Sequence, residues 1–258
     1  MFDDYERKFV DAKLRTAGNQ RADQESSIHE IIELWEDAAK TNGHAVDGLL
    51  KSDLLPRLSH WVLRSITYER FYDFVGTKLA AEDAFFNRIA IAQLVTPLLA
   101  QELEGTVKWS ILTWGFLGRV CKKEVIDWQD YHLVQRGKPS ERPKYLKEAI
   151  DDVRFVFPTD SAPFQIADGL EPPDHPVRSN LVRRAVAHGD FIVIGDPREP
   201  IVQFLGGESL DIPFTECMGL FSMTQDLAKM ATVGNHLGAR RALAVLSDPA
   251  GSRTMRPS

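Results

Sequence analysis

The order of helical and strand patterns along the chain constrains its fold more than any other feature. Apolar residues recur at helical spacing through most of the first half, whereas runs rich in β-branched and aromatic residues gather after Lys147. The two patterns do not alternate regularly, so they do not predict a doubly wound parallel sheet. We therefore expect an α+β fold with a helix-rich first half, a small antiparallel sheet and flanking C-terminal helices.

The most distinct helix signal begins at Ser27. Ser27 and Glu30 form a capping-box pattern, in which the hydroxyl accepts from a backbone N–H and the carboxylate reaches back. An apolar stripe of helical period follows: Ile28, Ile31, Ile32, Trp35 and Ala39. His29 and Glu33 lie opposite this stripe and are expected to face solvent. The pattern predicts a helix from Ser27 to a left-handed stop at Asn42-Gly43, after a polar linker.

Later segments predict both helices and strands. Ala80 to Glu102 is typical of a long helix bent at Pro97, and Val107 to Val120 is apolar on all sides, which predicts burial. Alternation from Val153 to Phe157 predicts a strand. The last elements are a hairpin of Phe191–Ile194 with Ile201–Leu205 across an Asp196–Glu199 turn, and two helices, about Thr215–Thr232 and Asn235–Leu246.

The domain organisation follows from these elements. Residues 1–26 are expected to be an N-terminal segment and linker, and 27–247 a single α+β domain. The charged, Gly- and Pro-interrupted stretch 122–147 is a possible boundary or large loop within it. A polar tail, 248–258, is expected to be flexible.

Composition excludes several classes of protein. The formal net charge of -6 argues against nucleic-acid binding through phosphate contacts, and two cysteines are too few for a disulfide framework. The charged N-terminus lacks the apolar region of a signal peptide, and no run of about 18 apolar residues predicts a membrane span. We expect a cytoplasmic protein that does not bind membranes.

One motif suggests metal chemistry. His188-Gly189-Asp190 at the start of a strand, with His236 later, resembles the HxD…H pattern of 2-oxoglutarate-dependent oxygenases. Two histidines and one carboxylate are the ligand set of a non-haem iron site. The resemblance implies an iron site formed by His188, Asp190 and His236. The chain contains no phosphate-binding loop, nucleophile elbow or HExxH motif.

A second resemblance covers residues 28–79. The order Leu34-Trp35, then Leu54-Leu55-Pro56-Arg57-Leu58, then the aromatic run Tyr68 to Thr77, resembles a divergent bacterial PAS-type sensory domain. This resemblance implies a small antiparallel sheet, a pocket for a small molecule, and signalling through an N-terminal helix and homodimer contacts. Its candidate pocket residues are Trp61, Phe71, Phe74, Trp109 and Trp114.

The PAS comparison requires an extended aromatic run, which periodicity leaves open. Asp53 to Thr77 fits either a helix started by Asp53 and Pro56 or strands rich in aromatic and β-branched residues. The leading hypothesis is a cytoplasmic sensory or regulatory module, rather than an enzyme, that binds a small ligand or a protein partner; its cofactor is unknown. The alternatives are the iron oxygenase and a structural protein whose Val107–Val120 segment packs on a partner.

Overall fold

The computed structural model describes residues 21–54, 84–136, 140–170, 186, 189–206 and 208–248. Over these residues the fold is α+β, as the sequence predicts. The chain divides into two compact units, each assembled from separate stretches of sequence. Unit 1 draws on Met1–Ser59, Ser110–Gln165 and Lys229–Ser258, and unit 2 on His60–Trp109 and Ile166–Ala228.

The helices account for most of the described chain. Their bounds are α1 Arg21–Thr41, α2 Gly43–Leu49, α3 Ala84–Glu102, α4 Lys108–Cys121, α5 Trp128–Tyr131, α6 Leu146–Val156, α7 Ala162–Leu170 and α8 Phe214–Ser247, with π-helical segments at Leu50–Leu54 and Leu103–Val107. α3 carries Pro97 within it, as predicted. No helix in the described part of the chain has both the length and the apolar character of a membrane span.

The start and end of α1 differ from the sequence prediction. The helix begins at Arg21, before the expected cap Ser27, so the end of the predicted linker is helical. Asn42 is not a left-handed stop, because its φ is -147°. Its side-chain oxygen instead accepts from the backbone N–H of Ala45 at 3.2 Å, which makes Asn42 the N-cap of α2.

The predicted strand at Val153–Phe157 is wrong, because these residues belong to α6 and its C-terminal end. The short alternation is overridden by a longer helical period, since the buried residues of α6 recur every three to four positions: Leu146, Ala149, Ile150, Val153 and Val156. Phe155, on the opposite side, is exposed. Five alternating residues are too few to distinguish a strand from one face of a helix.

The stretch expected to be a large loop contains regular structure. Besides α5 it holds an antiparallel hairpin of β1 Leu133–Arg136 and β2 Ser140–Pro143. Unit 2 carries an antiparallel sheet of three strands in the order β3 Phe191–Ile194, β4 Ile201–Gly206 and β5 Glu208–Pro213. The predicted β3–β4 hairpin is confirmed, with Ile194 opposite Ile201. β5 was not predicted.

The two predicted C-terminal helices are one continuous helix, α8. Gly234, near the expected break, lies inside the helix and serves packing: a Cβ on it would lie 2.9 Å from Ile31 of α1. A Cβ on Gly238 would overlap Trp35, one turn further along both helices. Because α1 and α8 meet at positions that increase together, they run parallel within unit 1. The two glycines allow this close approach.

Candidate functional site

A groove lies along the α1–α8 pair in unit 1. It has a volume of about 430 Å³ and is open to solvent, and six of the described residues line it: His29, Ile32, Leu237, Arg240, Arg241 and Ala244. This volume falls within the size range of ligand sites in proteins. Among the described residues, its lining comes from α1 and α8.

Helical spacing places these six side chains together. Leu237, Arg240, Arg241 and Ala244 stand at i, i+3, i+4 and i+7 of α8, and His29 and Ile32 at i and i+3 of α1. Residues at such spacings share one face of a helix. The groove therefore has an apolar floor of Ile32, Leu237 and Ala244 and a basic rim of His29, Arg240 and Arg241.

The rim charges are exposed and held by exposed or half-exposed acids. Arg241 is 63% exposed, and its Nη1 lies 3.2 Å from Oε2 of Glu36, which is 24% exposed. His29 Nε2 lies 3.2 Å from Glu33 Oε1, with both side chains more than half exposed, which confirms that this pair faces solvent. A hydrogen bond from Lys40, above all, lowers the pKa of Glu36. Exposed pairs of this kind contribute little to stability.

A buried polar contact lies beside the α1–α8 pair and fixes its position. The indole N–H groups of Trp35 and Trp114 both donate to Oδ1 of Asn235, each at 3.0 Å. All three side chains are buried. Nδ2 of Asn235 has no hydrogen-bond partner among the described residues, a deficit that costs about 1–3 kcal/mol. The two donated bonds connect α8 to both α1 and α4.

A second polar cluster in unit 1 converges on Asp152 of α6. Its carboxylate accepts from Arg119 Nε at 3.1 Å and Lys144 Nζ at 3.3 Å, and also from the Tyr131 hydroxyl. Arg119 Nη1 also donates to Glu124 at 2.8 Å. Lys144 Nζ lies 3.7 Å from the centre of the Tyr131 ring. We call this set, Arg119, Glu124, Tyr131, Lys144 and Asp152, the Asp152 cluster.

Burial and charge shift the pKa values of the Asp152 cluster. Burial acts to raise the pKa of Asp152, but hydrogen bonds from Arg119 and Tyr131 and the charge of Lys144 outweigh it and hold the pKa below its ordinary value. Burial lowers the pKa of Lys144, against the opposing effect of Asp152. Burial, with the neighbouring Asp152 carboxylate, raises the pKa of Tyr131 well above its usual range. Shifts of this kind occur at active sites and also in structural ion pairs.

Packing identifies the Asp152 cluster as structural. The Tyr131 hydroxyl lies against the backbone of α4 at Gly115, where even a Cβ would overlap it. Tyr131 is buried and packs on Phe116 and Trp128, with ring centres 5.5 and 6.1 Å away. The Tyr131 hydroxyl therefore donates a hydrogen bond to the Asp152 carboxylate, which also accepts hydrogen bonds from Arg119 and Lys144. The cluster ties α4, α5 and α6 together.

The structure describes some of the residues proposed from the sequence. Trp61, Phe71, Phe74 and His188 lie outside the described residues, as does the Tyr68–Val75 run. The structure describes the other four candidates. Trp109 and Asp190 are half-buried in unit 2. In unit 1, Trp114 is buried and His236 is half-buried. Nothing in this arrangement tests the pocket or the iron site, which stay predictions. Among the described residues, no three His, Cys, Asp or Glu side chains gather closely enough to hold a metal.

Sequence reasoning missed the groove. The signal was present in α8 as the spacing of Leu237, Arg240 and Ala244, but a single sequence does not show that α1 forms the other wall. The segment Val107–Val120, considered as a docking surface for a partner, is buried within the chain from Ser110 to Gly118. The predicted burial of this segment is confirmed over these residues.

Comparisons of the chain with protein-family models, curated proteins and solved structures found no match. The functional argument therefore rests on the groove and its chemistry.

Proposed function

We propose that this protein is a cytoplasmic regulatory module, and that the groove between α1 and α8 binds an anionic, partly apolar ligand or partner segment. The observation that carries the proposal is the lining of the groove. Among the lining residues that the structure describes, three apolar side chains form its floor, three basic side chains form its rim, and none is acidic. Such a surface is complementary to a molecule with one apolar side and negative charge.

The floor and the rim contribute differently to binding. Covering Ile32 and Leu237, both half-buried, removes apolar surface from water and yields about 25 cal/mol per Å². The charges of Arg240 and Arg241 select the sign of the ligand and speed its approach. Affinity would come mainly from the floor, and charge specificity from the rim.

The frame beneath the groove supports a binding role. The Trp35–Asn235–Trp114 contact holds α8 against its neighbours, so the two walls are in place before a ligand arrives. Pre-organised walls lower the entropic cost of binding. The PAS comparison assigns signalling to an N-terminal helix, and α1 is one wall of the groove, so an occupant would touch that helix directly.

A label placed in the groove tests the proposal. Ala244→Cys would carry an environment-sensitive fluorophore, and labelling would be selective because burial raises the pKa of both native thiols, Cys121 and Cys217, to about 11. We expect decanoate to shift the emission of this label and decyltrimethylammonium, of equal chain length and opposite charge, to leave it unchanged.

The matched control carries the same label at Leu243→Cys, an exposed position of α8 that does not line the groove. Its emission should not respond to decanoate. An equal response at the two positions, or an equal response to the anion and the cation at Ala244→Cys, would overturn the proposal.

A further inference from the structure

We draw no further inference here: the strongest candidate, the exposed apolar face of the three-stranded sheet at Ile192, Ile194 and Leu205, carries none because nothing in the described part of the structure shows what covers it.

Discussion

The Asp152 cluster and the α1–α8 groove both gather basic side chains in unit 1, and they differ in where the opposing carboxylate lies. Arg119 and Lys144 converge on Asp152, whose side chain is only 10% exposed. Arg241 meets the more accessible Glu36 and is itself mostly in solvent. Salt bridges to a buried carboxylate are costly to break, whereas exposed ones contribute little stability. The same residue types thus hold the fold together in one region and form weak, exposed pairs in the other.

Removing the part-buried Asp152 carboxylate should have the largest effect. Asp152→Asn leaves Arg119 and Lys144 half-buried without their counter-charge, so we expect the free energy of unfolding to fall by about 3 kcal/mol. Asp151→Asn is the matched control, since Asp151 is half exposed and pairs with the exposed Lys147. It should cost less than about 0.5 kcal/mol. Urea unfolding measures both; equal losses would show that the Asp152 cluster is no stronger than a surface pair.

The same carboxylate should govern the acid side of the stability curve. The pKa of Asp152 is lower in the folded than in the unfolded protein, so its stabilisation is complete above the unfolded value, near pH 4. This stabilisation is lost as the pH falls through the pKa of Asp152 in the folded protein. Urea unfolding between pH 5 and pH 2 should therefore show a steeper loss in the wild type than in Asp152→Asn. An equal loss of stability with pH in the wild type and in Asp152→Asn would contradict this role for Asp152.

Two glycines of α8 should respond to alanine with opposite signs. Gly238→Ala drives a methyl into Trp35 beneath the groove, which should lower the unfolding free energy by about 1–2 kcal/mol despite the better helix propensity of alanine. Gly219→Ala meets no atom within 4 Å and should raise it by up to about 1 kcal/mol. Thermal unfolding compares them. Stabilisation by both would show that α1 and α8 pack less closely than described.

The rim of the groove should contribute least to stability. Arg240 is exposed, so Arg240→Ala should change the free energy of unfolding by less than about 0.5 kcal/mol. Arg119→Ala, the equivalent removal in the Asp152 cluster, should cost more than about 1.5 kcal/mol because its hydrogen bonds reach a charged, part-buried group. Chemical denaturation of the two variants, Arg240→Ala and Arg119→Ala, measures both losses of unfolding free energy. A large loss for Arg240→Ala would assign this arginine to the fold rather than to ligand binding.

Local sequence patterns predicted much of the secondary structure. The stripe of Ile31 and Trp35, the apolar segment around Trp114 and the β3–β4 hairpin all follow from periodicity and turn residues. The errors have local causes as well. Val153–Phe157 alternates over too short a stretch, and the gap predicted between Thr232 and Asn235 lies inside one helix, where Gly234 admits Ile31.

The candidate site depends on contacts that local patterns do not encode. Periodicity shows which face of α1 is buried, but not that Asn235, 200 residues away from Trp35, accepts the indole N–H. Each wall of the groove is an ordinary helix face of apolar and basic residues. The site exists only where the two faces meet, so a single sequence reveals its parts and not their combination.

The distance in sequence between Trp35 and Asn235 sets a delay during synthesis. At about 5–20 residues per second, roughly 10–40 s pass between the emergence of α1 from the ribosome and that of its partner helix. During that interval the Ile31–Trp35 stripe has no Gly234 or Gly238 to receive it. Nascent α1 therefore needs shielding from other apolar surfaces until the last part of α8 has been translated.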